Sequence, residues 1–395
     1  MTHEQLYKKL QSLAIFRRIL DDTTVNALCK YLSCRGESDE KLSLYSEFIY
    51  TVYSCDEDTF AKHIKNIVND SENPYIRFVG MGKNPSKEFS ESLERELVVL
   101  QELSEITADF LRGNNSFEVE TASFSFEQLD IRGEYLHRIQ NIGVYGYGMY
   151  SKYRMFCLDG NNHIVPVKNP DTVDISSLID YKREQKIIID NTVALLEGKP
   201  AANILLTGDA GTGKSSTVKA VVNMLYDRGL RILEVRKDQF SALPHILDEL
   251  SLNPLKFIIF ADDLSFNKDD DNFSALKAIL EGSVSAKSKN VVIYATSNRR
   301  HLVKETFSSR EGDEIHINDT VQEILSLSAR FGIRVSFYKP DKKTYLHIVS
   351  CLAEENGITI PTEELFIQAE RFALENGGRS PRAANQFIDS LISVN

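Results

Sequence analysis

The chain has 395 residues, 42% hydrophobic and 26% charged, which at about 100–200 residues per domain predicts two to three domains and argues against extended disorder, collagen-like repeats or a membrane architecture. Its 46 Lys and Arg against 57 Asp and Glu leave a formal charge of −11, so a protein that coats nucleic acid or a membrane surface non-specifically is disfavoured. No run of roughly 18 apolar residues occurs, and residues 1–20 interleave charges with apolar positions, unlike a signal peptide; the expectation is a cytoplasmic protein.

Residues 1 to about 115 carry helical periodicity, with Leu93, Leu97, Leu100, Ile106 and Phe110 near one face of a single pattern. A mostly helical N-terminal domain over residues 1–175 is expected. Cys29, Cys34, Cys55, Cys157 and Cys351 contain no CxxC pair and no His at zinc-finger spacing, so all five read as buried reduced thiols. Phe89, Phe117, Phe124, Phe126 and the tyrosines from Tyr145 to Tyr153 read as core rather than as a recognition surface. Between about 135 and 170 the composition shifts to Tyr, Gly, Asn and Pro, which gives short strands, turns and a linker, with a boundary near 170–178.

From residue 176 apolar runs of strand length recur at 203–207, 231–235, 257–261, 291–296 and 333–337, separated by helix-capable segments. The alternation predicts an α/β domain over 176–338 with a five-stranded parallel sheet. Beyond Pro340 three amphipathic stretches, at about 341–355, 362–376 and 380–393, predict a helical C-terminal domain over 339–395.

The first of those strands runs into Gly208-Asp209-Ala210-Gly211-Thr212-Gly213-Lys214-Ser215, followed by Ser216 and a helical segment. This is the GxxxxGK[ST] phosphate loop in the strand-to-helix context it requires. Three glycines let successive N–H groups face phosphate oxygens, and the helix N-terminus adds partial positive charge at the same place. Lys214 reaches the β and γ phosphates of such a ligand, and Ser215 supplies a magnesium ligand. The strand at 257–261 ends in Asp262 and Asp263, a Walker B pattern: Asp262 as the magnesium partner, Asp263 as the group that orients the attacking water. Asp263 stands where hydrolysing relatives carry Glu, one methylene longer, so slow hydrolysis is compatible with it; capping of the following turn is the competing role. Asn267-Lys268-Asp269-Asp270 matches the NKxD pattern of guanine readers but follows Asp262 too closely in a polar loop, and reads as a solvated acidic loop.

With Asn298 at the end of the next strand, in Tyr294-Ala295-Thr296-Ser297-Asn298, the chain resembles the AAA+ ATPases. The resemblance implies that Asn298 is the sensor 1 residue beside the γ phosphate. The segment LSARFG resembles that family's box VII and implies that Arg330 is an arginine finger acting on a neighbouring subunit's nucleotide, with Arg310 as the substitute. The segment GGRSPRAA resembles sensor 2 and implies that Arg382 faces the nucleotide, Arg379 being the alternative. Leu178 and Ile179 lie in a stretch like box II, whose apolar residues flank adenine; packing alone explains them equally well. Together these motifs run from Leu178 to Arg382. LEGKPAANILLTGDAGTGKSS, FADDLSF, YATSNRRHL and LSARFG further resemble a bacterial family of predicted AAA+ ATPases, domain of unknown function 815.

The resemblance implies ATP and magnesium as ligands, assembly into a homo-oligomer, and an ATPase that drives conformational change on an unknown macromolecular partner. A protein-threading role is disfavoured because the stretch after the second strand, EVRKDQFSALPHILDEL, lacks an aromatic-apolar-Gly triplet. Arg299, Arg300, Lys182 and Arg183 leave room for a local phosphate-contacting patch but read as solvated charges. Two other classes stay open: an ATP-binding switch or scaffold with negligible hydrolysis, favoured by Asp263, and a small-molecule kinase, which would lack Arg330 and the helical lid.

Overall fold

The computed structural model describes residues 1–113, 117, 119–264, 276–277, 279–280, 289–298 and 329–393. The chain divides into two compact units, Met1–Lys152 and Tyr153–Asn395.

The first unit is helical. It contains α1 (His3–Gln11), α2 (Thr23–Ser33), α3 (Ser38–Tyr53), α4 (Phe60–Asn69), α5 (Pro74–Gly80), α6 (Lys87–Ser104), α7 (Ala108–Arg112), α8 (Ile131–Gln140), α9 (Ile142–Tyr145) and α10 (Met149–Lys152). The single pattern expected through Phe110 breaks in two. Glu105 caps the end of α6, and the Thr107 side chain accepts from Phe110 N at 3.1 Å to start α7, because a capped restart satisfies N–H groups that a continuous helix would not expose. Leu93, Leu97, Leu100 and Leu103 are buried on α6, each contributing roughly 1.5–3 kcal/mol of apolar burial. Glu96, on the same helix, is also buried, and its carboxylate accepts from the backbone N–H groups of Ala14, Ile15 and Phe16 at 2.9–3.0 Å. Phe89, Phe117 and Phe124 pack against this core while Tyr147 is inside it; Phe126 is exposed.

The second unit is a sheet flanked by helices. Its strands are β1 (Met155–Leu158), β2 (Ile164–Pro166), β3 (Ile204–Gly208), β4 (Leu230–Glu234), β5 (Lys256–Ala261), β6 (Val291–Ser297) and β7 (Ile333–Phe337), in the order β2-β1-β4-β5-β6-β3-β7. All neighbours pair in parallel except β1 with β2. The helices are α11 (Lys182–Leu196), α12 (Lys214–Leu225), α13 (Leu243–Ser251), α14 (Lys342–Glu355), α15 (Thr362–Glu375) and α16 (Pro381–Ile392). This is a mostly parallel α/β sheet flanked by helices, followed by a C-terminal cluster of α14 to α16, the lid.

The sheet has seven strands rather than the five expected. The two extra ones come from the Tyr- and Asn-rich stretch that reads as short strands, turns and a linker outside the sheet. Asp159 Oδ1 accepts from Asn161 N and His163 N, both at 2.8 Å, and Asn162 takes φ 62°, which folds β1 back onto β2; β1 then extends the parallel ladder by pairing with β4. The second unit therefore begins at Tyr153, before the boundary expected near 170–178. The strands β3 to β7 and the helices α14 to α16 fall within a few residues of the sequence expectation.

Candidate functional site

The C-terminal ends of parallel strands are where an open α/β sheet leaves a crevice for ligands, and the motif residues gather there. The chain leaves β3 at Gly208 with φ 137°. A Cβ at this position would lie 1.9 Å from the Phe337 carbonyl oxygen of β7, so only glycine lets the two strands run side by side up to the loop. Asp209, Ala210, Gly211 and Thr212 form the loop, with Thr212 buried and its Oγ1 donating to Asp209 O at 2.8 Å. Gly213, φ 89°, caps α12 and faces open space, leaving the helix N-terminus uncovered.

Lys214, the first residue of α12, is only 5% exposed. Its ammonium donates to Gly208 O at 2.9 Å, Asp209 O at 2.7 Å and Asn298 Oδ1 at 3.0 Å. All three acceptors are neutral, and among the described residues no carboxylate comes within ion-pair distance of it. Burial lowers the lysine pKa, with Asp262, Asp209 and Asp263 acting in the opposite direction. A buried cation with neutral partners in an open loop is suited to an anion.

Asp262 and Asp263 follow β5 directly and are exposed. Ser215 Oγ donates to Asp262 Oδ1 at 2.6 Å, so the two oxygen ligands proposed for magnesium already meet. Thr296 Oγ1, buried at the end of β6, donates to the same Asp262 oxygen and accepts from Asp263 N at 2.9 Å. Asp263 has φ 52°, a left-handed conformation that costs a non-glycine residue about 1 kcal/mol or more. Its carboxylate accepts from Asn298 Nδ2 at 2.7 Å. A continuous chain of hydrogen bonds thus links Lys214, Asn298 and Asp263. Sequence reasoning passed over Thr296; its signal was the two-residue strand period, which sets it in line with Asn298.

The lid closes on the loop from the other side. Ser380 caps α16 by accepting from Ala383 N at 3.1 Å, Pro381 fills the first turn, and Arg382 N donates to Gly211 O at 3.1 Å. Arg382 lies close enough to Lys214 to help lower its pKa, and its guanidinium finds no hydrogen-bond or ion-pair partner among the described residues. Arg379 instead pairs with Glu370 through two bonds of 2.8 and 2.7 Å. That bidentate contact removes Arg379 as the free cation and leaves Arg382.

Leu178 and Ile179 sit where the sheet and lid meet. Leu178 O accepts from Gln185 Nε2 at 3.0 Å, Ile179 packs on the core of α14 to α16, and Tyr181 packs against Phe337 while donating to Tyr338 O at 2.6 Å. Asp180 and Tyr181 both have positive φ, 64° and 55°, so this turn is held by its surroundings rather than by local preference. Arg330 is half-buried just before β7, at the end of the sheet opposite the phosphate loop, because β7 runs parallel to β3 with Ile333 beside Ile204 and Phe337 beside Gly208. The rest of box VII, at 326–328, the acidic loop at 267–270, and Arg299, Arg300 and Arg310 lie outside the described residues.

A family model described as "Protein of unknown function (DUF815)" matches residues 151–395, which takes in the whole second unit. The chain belongs to this family. Among solved structures, the RuvB Holliday junction branch migration motor of Thermotoga maritima is similar at 17% identity and TM-score 0.36, covering 55% of this chain and 63% of that one. PCH-2 of C. elegans is similar at 19% identity and TM-score 0.38, covering 54% of this chain and 63% of its own. The matched part of this chain thus spans less than two thirds of either. A comparison with curated proteins found no match. Among the described residues no helix is long and apolar enough to cross a membrane.

Proposed function

We propose that this DUF815 protein binds ATP with magnesium between the sheet and the lid and hydrolyses it at an interface between copies of the chain. The observation that carries the reading is Lys214: a buried ammonium with three neutral acceptors, at the mouth of a glycine loop and a helix N-terminus. The residues 208–216 would hold the phosphates through backbone N–H groups, with Lys214 on the β and γ positions. Ser215 and Asp262 would hold the magnesium, which when bound neutralises phosphate charge. Asp263 and Asn298 would orient the attacking water, Arg382 would sense the γ phosphate from the lid, and Leu178 and Ile179 would flank the base.

Arg330 belongs to this scheme only in trans. Four residues of strand, at about 3.3 Å each, separate the level of Ile333 from that of Phe337 and the phosphate loop, which supports a role on another copy's site rather than on its own. A planar guanidinium there is worth ~10³ to 10⁵ in rate in enzymes that use one. The partner on which the turnover acts is a macromolecule of unassigned identity, in the cytoplasm, with nucleic acid disfavoured by the acidic charge.

The binding step is tested with a fluorescent ATP analogue. Wild type binds in a magnesium-dependent manner, and Lys214→Ala loses at least ~100-fold in affinity while retaining its melting temperature; equal binding by both would end the nucleotide reading. A second reading, an ATP-gated switch with negligible turnover, is favoured by one observation: the Asp263 carboxylate is short and already engaged by Asn298. Under it Asp263→Glu gains turnover over wild type; under the first reading it does not.

A further inference from the structure

The helical first unit holds an open cavity of about 770 Å³. Asp22 before α2, Cys55 and Glu57 in the loop after α3, and His63 on α4 line one wall of it. The Sγ of Cys55, a carboxylate oxygen of Glu57 and a ring nitrogen of His63 lie within 4.8 Å of one another, the one such group of three found among the described residues. Sequence spacing hides the cluster, because Cys55 and His63 are eight positions apart with a helix start between them.

The imidazole sits between two carboxylates. Nδ1 is 3.2 Å from Glu57 Oε2 and Nε2 is 3.0 Å from Asp22 Oδ1. A neutral ring donates from one nitrogen only, so the other would point a lone pair at a carboxylate oxygen. A positive charge on that side resolves the conflict, either as a second proton or as a metal ion. Only the ion also uses the neighbouring thiol.

The outer contacts resemble those that steady metal ligands. Asn66 Nδ2 donates to Glu57 Oε1 at 3.0 Å, and Asp22 Oδ1 accepts from Thr24 N and Val25 N, both at 3.0 Å. Glu57 is thereby held at its far oxygen, and Asp22 at the same oxygen that faces the ring, contacts of the kind that fix ring orientation in carboxylate–histidine–metal sites. Cys55 Sγ is itself located by its contacts with Thr51 O at 3.2 Å and Thr24 Oγ1 at 3.4 Å.

We propose that Cys55, Glu57 and His63 bind one zinc ion at the wall of this cavity, with Asp22 positioning the imidazole and the cavity side left open for an exogenous ligand. A thiolate and an imidazole with one carboxylate suit zinc, whereas magnesium and calcium take all-oxygen sets. Binding takes the thiolate and the neutral ring, so the thiol proton and any imidazolium proton pass to solvent. Three protein ligands with an open fourth position is the pattern of zinc sites that bind or activate a small molecule.

The test uses the full chain, stripped with chelator and titrated with zinc against a chromophoric competitor, then with cobalt as a spectroscopic probe. Wild type should take one zinc per chain. Cobalt should give a thiolate charge-transfer band that disappears in Cys55→Ser, a nearly isosteric change, and zinc affinity should fall at least ~10-fold in that variant and in Glu57→Gln. Asp22→Asn should weaken zinc by roughly 10-fold and keep the cobalt band. Cys351→Ser is the control, since Cys351 also lies beside a histidine, His347 Nε2 at 3.6 Å, but forms no group of three ligands among the described residues; it should bind like wild type. Equal zinc affinity in wild type and Cys55→Ser, or a cobalt spectrum without a thiolate band, would overturn the proposal.

Discussion

Thr296→Val isolates the contact that joins β6 to the two carboxylates. Valine has the shape of threonine, and Thr296 is 2% exposed, so the change opens no cavity and removes only a hydroxyl. Two bonds go with it: the donation to Asp262 Oδ1 and the acceptance from Asp263 N. A hydrogen bond to a charged group contributes about 1.5–3 kcal/mol, whereas Asp263 N keeps a second acceptor, Asp262 Oδ1 at 3.2 Å, so the loss on that side is small. Some of this is recovered as Asp263 relaxes from its left-handed conformation, so a net loss of about 2 kcal/mol is expected for the second unit. If the loss falls on carboxylate placement during turnover, 2 kcal/mol is about 30-fold in rate. The denaturant midpoint should fall, ATP turnover should drop about 10- to 100-fold, and ATP affinity should stay within about threefold because Lys214 and the loop are untouched. Thr296→Ser restores the hydroxyl and most of the activity. A Thr296→Val protein with unchanged midpoint and turnover would refute the role given to this side chain.

Gly208→Ala forces a Cβ to within 1.9 Å of a backbone oxygen at φ 137°, so it should destabilise the second unit by more than about 2 kcal/mol, seen as a lower melting transition together with weaker nucleotide binding. Arg382→Ala should reduce ATP turnover while leaving the melting temperature within a degree or two, whereas Arg379→Ala should do the reverse, because Arg379 is committed to Glu370; matching effects of the two would undo that division. The same pair sets a pH dependence. The Arg379 guanidinium holds the Glu370 carboxyl below its ordinary pKa of 4.5, so its contribution to lid stability is present above that value and lost as the pH falls through the lowered folded pKa. The stability gap between wild type and Glu370→Gln should accordingly narrow in acid, and a gap independent of pH between 3 and 7 would contradict the assignment.

Where local rules and global packing agree, the sequence was readable. The phosphate loop, the strand ends at Asp262 and Asn298, and the cap-proline start of α16 are each defined within a few neighbouring residues. The lid arginine was ambiguous between Arg379 and Arg382 because the choice depends on Glu370, nine residues away on another helix. The short strands expected before residue 170 were not expected to join the sheet, since the runs of β1 and β2 are only four and three residues long and only pairing with β4 makes β1 part of it. Thr296 was passed over for a related reason: the strand period sets it in line with Asn298, but its role arises from Asp262 and Asp263, which follow β5. The cluster at Cys55 and His63 depends on the packing of α2, α3 and α4, which no spacing rule encodes.

The most direct test of the central claim is ATP hydrolysis by wild type, Lys214→Ala, Arg330→Ala and an equimolar mixture of the two variants, each across a range of protein concentration. The account predicts a wild-type rate that rises more than linearly with concentration, little activity in either variant alone, and partial recovery in the mixture, where an intact phosphate loop on one copy meets an intact Arg330 on another. Wild-type activity strictly linear in concentration, with no recovery on mixing, would contradict a site completed between copies of the chain.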